Sequence, residues 1–350
     1  MNHHELPPEQ QTPAAWYGPR IAAREDWLVR LDPRDLAEIA SALQWWARHE
    51  NGPAPLRAED FPLPELSAKL LALRGELLDG RGFAVLRGLP VDRWPQRDAA
   101  LAFIGIGAHL GNARSQNAAG HLLGHVRDLG LSSKDPSVRI YQTSERQTFH
   151  TDSCDVVGLL CLRGARRGGD SLLVSSVTIY NEMRRRRPDL ARLLFDPIAT
   201  DRRGEVPEGM KPYFEVPVFN WYAGRLTTIY HRAYIDSAQR FEGVPRLTPA
   251  HVEALDLFDA LAEDPALHLK IAFEPGDMQF VHNHTLLHDR TAFENWPEAG
   301  RDRHLLRLWL ACHGARPLPP VFAQRYGSVE IGDRGGIVLR DTAFRVPIDA

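Results

Sequence analysis

The second half of the chain restricts the fold most, because it consists of short apolar or alternating runs cut by turns. Between 137 and 312 the candidate strands are 138–142, 147–152, 156–162, 170–175, 213–219, 225–231, 268–273, 278–282 and 303–312. So many short strands, bounded by turn residues, predict a closed or double-sheet all-β core. Two helices interrupt the run. One lies near 177–187, and the other runs from Thr248-Pro249 to about Leu261, with Leu255, Phe258 and Leu261 on one face.

The first third reads differently. Residues 1–30 form an irregular arm rich in Pro, Glu, Gln and Ala, whose Trp16, Tyr17 and Trp27 pack onto the main body. Asp32-Pro33 is an N-cap followed by proline at the first helical position, and Leu36, Ile39, Ala40, Leu43 and Ala47 recur at helical spacing up to a stop at Asn51-Gly52. A second helix runs from Pro64 to about Leu78, closed by Gly80. Gly82 to Gly88 brackets a buried strand, and a helix from Pro95 ends at Leu110-Gly111. The polar, turn-rich stretch 111–136 reads as a functional loop.

Composition excludes several classes. The 350 residues are 43% hydrophobic, enough for a sizeable core. A net charge of −3 provides no field that would draw the chain to nucleic acid or an anionic membrane, and no apolar run is long enough to span a bilayer. The run Arg184-Arg185-Arg186-Arg187 is short and carries no interleaved aromatics, so it reads as a solvated helix end. Three cysteines, Cys154, Cys161 and Cys312, without a CxxC pair, argue against a disulfide framework and fit a reducing cytoplasm. A small-molecule partner is expected. The aromatic arm is compatible with packing on its own chain or on a second copy in a homo-oligomer.

The chemistry centres on Phe149-His150-Thr151-Asp152. On a strand His150 and Asp152 share a face, about two rises of ~3.3 Å apart, which suits two ligands of one metal ion. A second histidine would complete a facial triad of two imidazoles and a carboxylate, the arrangement of non-heme Fe(II) oxygenases. His282, His284 and His288 all compete for that third place. On the strand that follows, Arg303, Leu305 and Arg307 share a face, and two inward arginines each require an anion.

With these pieces in order, the sequence resembles the taurine dioxygenase family, the Fe(II)/2-oxoglutarate oxygenases that include clavaminate synthase and γ-butyrobetaine hydroxylase. The matching stretches are Phe149-His150-Thr151-Asp152, Gly168-Gly169-Asp170-Ser171, Gly276-Asp277, Asn283-x-x-x-x-His288-x-Arg290-Thr291-Ala292-Phe293 and Arg303-x-Leu305-x-Arg307. The resemblance implies a double-stranded β-helix, or jelly-roll, core with flanking helices over 81–350, with residues 1–80 packed on it as part of one structural unit. It places the third ligand at His288, five residues after Asn283, so that His150, Asp152 and His288 are the catalytic and metal residues. It gives the distal carboxylate of 2-oxoglutarate to Arg303 and Ser171, and the prime substrate to Arg307. Gln116, Tyr141 and Arg146 are further substrate-contact candidates bordering the open face. The implied activity consumes O2 and 2-oxoglutarate, releases succinate and CO2, and hydroxylates or desaturates an unactivated C–H of a small anionic molecule. A carboxylate at Asp152 disfavours halogenation, since related halogenases keep a small residue there. Two other readings stand beside it: a metal-dependent hydrolase or isomerase on a cupin-like barrel, and a binding module without chemistry.

Overall fold

The computed structural model describes residues 5–49, 52–133, 138–340 and 342–349. Two β-sheets face one another as a jelly roll. The larger has the order Leu28–Arg30, Phe83–Arg87, Met278–His282, Val156–Arg163, His304–Ala311 and Asn112–Arg114, with Leu123–Val126 also paired to His304–Ala311. The smaller has the order Leu269–Ile271, Ser171–Ser175, Leu286–Arg290 and Gln147–His150.

Alternation along these strands builds four layers, helices, sheet, sheet and helices, with three apolar seams between them. Phe83, Val85, Val157, Val281 and Trp309 of the larger sheet meet Leu173, Leu269, Ile271 and Leu286 of the smaller one in the interior. The opposite set of the larger sheet, including Ala84, Leu86, Phe280, Leu306 and Leu308, packs on the helices Pro33–Arg48, Leu66–Leu78 and Gln96–Leu110. The outer set of the smaller sheet, Phe149, Leu172, Val174 and Leu287, packs on the helices Ser176–Arg186 and Pro249–Ala262. Strands buried on both faces carry apolar residues at almost every position, which is why they read as continuous runs in sequence. Helix starts follow local capping chemistry. Asp32 accepts from the Arg34 and Asp35 backbone N–H groups in a capping box, and Thr248 accepts from His251 N–H.

Some expectations need correcting. The segment 138–142 is no strand: Ile140–Gln142 forms a single 3-10 turn closed by the Gln142 side chain on Arg139 N–H. The stretch 213–219 divides after Pro217, a residue without an N–H to continue the ladder, into strands that belong to two separate hairpins. The N-terminal arm is less irregular than read, with a helix at Gly18–Ala22 and a strand at Leu28–Arg30 lying parallel to Phe83–Arg87. The polar stretch after 111 contributes two strands to the larger sheet. Asn51 and residues 134–136 of that stretch lie outside the described residues.

Candidate functional site

His150 and Asp152, two residues apart, join the distant His288 where the two sheets meet. His150 and His288 are direct cross-strand partners of the smaller sheet, with ring centres 4.2 Å apart. Asp152 follows on the turn into the larger sheet, where Asn283 Oδ1 accepts its backbone N–H at 2.9 Å. Ligand atoms of His150, Asp152 and His288 all lie within 4.8 Å of one another, and no other group of three such residues does so among those described.

Each ligand is prepared by its neighbours. His150 Nδ1 faces the Thr148 carbonyl at 2.8 Å, which fixes its proton there and leaves Nε2 with a lone pair. Burial, with His150 and Arg307 nearby, brings the His288 pKa down to about 3, so its imidazole is neutral at physiological pH. Burial works against the Asp152 charge, yet Arg307, His288, His150 and the Trp309 N–H outweigh it and bring its pKa down to about 2. Trp309 Nε1 donates to Asp152 Oδ2 at 2.8 Å, and Arg307 Nη1 lies 3.6 Å from the same oxygen. Two imidazoles and a carboxylate form a suitable donor set for Fe(II).

A cavity of about 480 Å³ lies beside the triad, with Val126, Val157, Leu159, Phe273 and Leu305 among its walls and Ser171, Arg290 and Arg303 among its polar lining. Arg303 donates one Nη to the Gly169 carbonyl at 3.1 Å, and its other Nη is buried without a partner. Arg290 likewise has an unpartnered Nε and Nη1. Both guanidinium groups rest on the Phe293 ring, at 5.0 and 4.9 Å. Burial lowers each to a pKa of about 10, with Arg303 adding to the effect on Arg290. Buried, unpaired donors of one sign call for an anion. Apolar walls ending in two arginines and the Ser171 hydroxyl, which donates to Gln279 at 2.9 Å, fit a short dicarboxylate.

A second cavity, of about 780 Å³, opens on the other side and shares Tyr141, Gln147, His150 and Arg307 with the first. Gln116 lines it and accepts from Arg307 Nε at 2.7 Å, while Arg307 stacks 4.8 Å from the Tyr141 ring. Arg146 goes elsewhere. It pairs with Asp289 at 2.7 Å and Glu263 at 2.8 Å and lines neither cavity, although Asp289 itself borders the smaller one. The competing histidines are also placed apart from the triad. His284 Nε2 meets Asp155 at 2.8 Å, where Arg334 also binds, and His282 Nδ1 faces Thr285 at 2.9 Å. Arg139, Arg202, His231 and Arg325 line the larger cavity as well, and nothing in their local sequence sets them apart from an arginine-rich background. Trp309 was within reach of the alternation argument, since it continues the face of Arg303 and Arg307.

A jelly roll with a His-Asp-His centre at its inner face defines a non-heme iron oxygenase fold and site. The comparisons give the family. The pattern of the "Taurine catabolism dioxygenase TauD, TfdA family" matches residues 48–309. The chain is 33% identical over 313 residues to FR-33289 synthase of Streptomyces rubellomurinus, covering 87% of this chain and 91% of that protein. It is 34% identical over 308 residues to the taurine hydroxylase-like protein SAT17 of Stachybotrys chartarum, covering 84% of this chain and 77% of that one. In shape it is similar to the non-heme iron oxygenase OrfP in complex with Fe and alpha-ketoglutaric acid, with a TM-score of 0.62 at 18% identity over 81% of this chain and 93% of that one. The chain belongs to the TauD/TfdA family and is an Fe(II)/2-oxoglutarate-dependent oxygenase. Among the described residues no helix is long and apolar enough to cross a membrane.

Proposed function

We propose that His150, Asp152 and His288 hold Fe(II), that Arg303 and Ser171, joined by Arg290, hold the distal carboxylate of 2-oxoglutarate in the smaller cavity, and that the larger cavity takes a small anionic substrate hydroxylated at an unactivated C–H. One observation carries this reading: the triad stands between an apolar-walled cavity ended by two arginines with unpartnered N–H groups and a second, more polar cavity. When bound, the metal and the keto acid supply, with O2, the oxidising power, and succinate and CO2 leave. A water-activating hydrolase would leave Arg303 and Arg290 without an anion, so the hydrolase reading has no support.

The chain's own part is positional. The Thr148 carbonyl fixes the His150 tautomer, and the Trp309 N–H aims Asp152 Oδ2. Val157, Leu159, Phe273 and Leu305 keep water from the co-substrate end, where a carboxylate on two guanidinium groups gains strength in the dry surroundings. Arg307, held by Gln116, stands in the partition and keeps Asp152 charged while bordering the substrate. Gln116 and Tyr141 thereby act on substrate through the shape of that partition.

The test is anaerobic. Addition of Fe(II) and then 2-oxoglutarate to the full chain should produce a visible metal-to-ligand charge-transfer band. Arg303→Gln should raise the 2-oxoglutarate needed for half-maximal band by roughly tenfold or more, the loss of a charge-assisted hydrogen bond. Folded, metal-loaded protein that gives no band would overturn the assignment.

A further inference from the structure

We propose that the substrate carries a doubly charged phosphoryl head group, a phosphate monoester or a phosphonate, and that Arg202, Arg325 and Arg139, with His231, bind it on their side of the larger cavity. This rests on the assignment of that cavity to the substrate. The argument is one of charge balance. Four arginines line the cavity. Arg307 is matched by Asp152 and held by Gln116. Arg139 is paired with Glu205, at 2.9 Å, and the same carboxylate also acts on Arg325, so one carboxylate serves the group of Arg139, Arg202 and Arg325. Arg202 and Arg325 have no carboxylate within 4.0 Å among the described residues. Arg202 donates only to the backbone carbonyls of Lys211 and Gln324, and Arg325 donates Nε to Ser153 Oγ at 2.7 Å. The remaining acid of the lining, Asp201, is already taken by Arg240 and Ser237.

The two guanidinium groups without a carboxylate partner both pack on Phe214. Their central carbons lie 5.5 and 5.6 Å from the Phe214 ring, and Arg202 is 3% exposed. Burial pushes both pKa values down, that of Arg202 to about 10, so an anion beside them is favoured on electrostatic grounds. His231 adds a third polar partner. Its ring lies flat on Tyr234 at 3.6 Å, it lines the cavity, and its Nδ1 is buried without a partner. Two uncompensated positive charges match a dianion. A monocarboxylate or a sulfonate would leave one of them unmatched. A phosphoryl group supplies the second charge, with its second ionisation near ~6 for an ester, and three acceptor oxygens for two planar guanidinium forks.

The experiment compares four probes of one chain length: n-propylphosphonate, n-propyl phosphate, propanesulfonate and butyrate. Each is titrated by calorimetry into the metal-free full chain, and by change in the charge-transfer band into the complex with Fe(II) and 2-oxoglutarate. At pH 8.5 at least one phosphorus probe should bind tenfold or more tighter than both monoanions. That advantage should shrink as pH falls through the probe's own second ionisation. The tighter of the two phosphorus probes tells a phosphonate from a phosphate ester. Arg325→Gln and Arg202→Gln should each weaken it tenfold or more, while Arg325→Lys, keeping the charge but losing the fork, should weaken it less. Equal binding of the monoanions, or unchanged affinity in both glutamine variants, would overturn the proposal. Calorimetry needs no iron, so a missing charge-transfer band would count against the metal assignment and leave this test intact.

Discussion

Asp152 keeps its charge in a buried place because an indole N–H and a guanidinium stand on one of its oxygens. The Trp309 contact, at 2.8 Å, fixes which way the carboxylate faces. Trp309→Phe keeps an aromatic ring, though a smaller one, and removes the donor. It should lower Fe(II) affinity by about tenfold or more, read by metal titration, with the melting temperature almost unchanged. His288 and His284 lie only four positions apart and should respond in opposite ways. His288→Ala should abolish metal binding and leave the fold intact. His284→Ala removes a partner of the fully buried Asp155 and should cost about 1–3 kcal/mol in urea unfolding while metal still binds. Equal metal loss in the two variants would reassign the ligand.

At the scale of elements, strand alternation does most of the positioning. His304–Ala311 turns Leu306, Leu308 and Leu310 toward the helices and Leu305, Arg307 and Trp309 inward. The shared face of Arg303, Leu305 and Arg307 was legible from period-two patterning, as was that of His150 and Asp152, whereas His288 as the third member came only from the family resemblance. The Gln147–His150 strand breaks the rule. Its register shifts by one residue opposite His288 and Arg290, so Gln147 and His150 both reach the cavities although they are three apart. No local residue announces that bulge. The stretch 332–340 was also silent. It lacks periodicity, and long-range bonds place it: Arg334 on Asp155, Gly336 N–H on Ser153, Ile337 N–H on Ser115. Gly169 was legible as a motif, and its reason is geometric. Its φ is +75°, and a Cβ there would lie 2.6 Å from Arg303 Nε. Gly169→Ala should therefore raise the 2-oxoglutarate requirement roughly tenfold through strain of about 1–3 kcal/mol, with Fe(II) affinity unchanged. A metal defect instead would mean that the glycine supports the triad.

At the scale of the molecule, buried histidines tie stability to pH. Burial, with His125 and Arg163 beside it, brings His304 down to about 3, and burial with Arg316 and His284 nearby holds His282 well below its ordinary value. In the unfolded chain each takes up a proton near ~6.5. Below that pH the unfolded state binds more protons than the native one. The contribution is therefore complete above ~6.5 and is lost as pH falls, by up to about 1.4 kcal/mol per pH unit for each histidine. The urea midpoint of metal-free protein should drop between pH 7.5 and 5.5, and His304→Gln should flatten that slope. The N-terminal arm is also held by long-range bonds. Trp16 donates to the Arg81 carbonyl, Thr178 to the Trp16 carbonyl and Ser175 to the Ala14 carbonyl, so the arm is laced to its own chain.

The convergence of the triad has a mechanical side. Both imidazoles stand on the smaller sheet, whereas the carboxylate is pinned by an indole of the larger one. An ion gripping all three is a rivet through the seam of the sandwich, so loading it would resist shear between the halves as well as prepare them for chemistry.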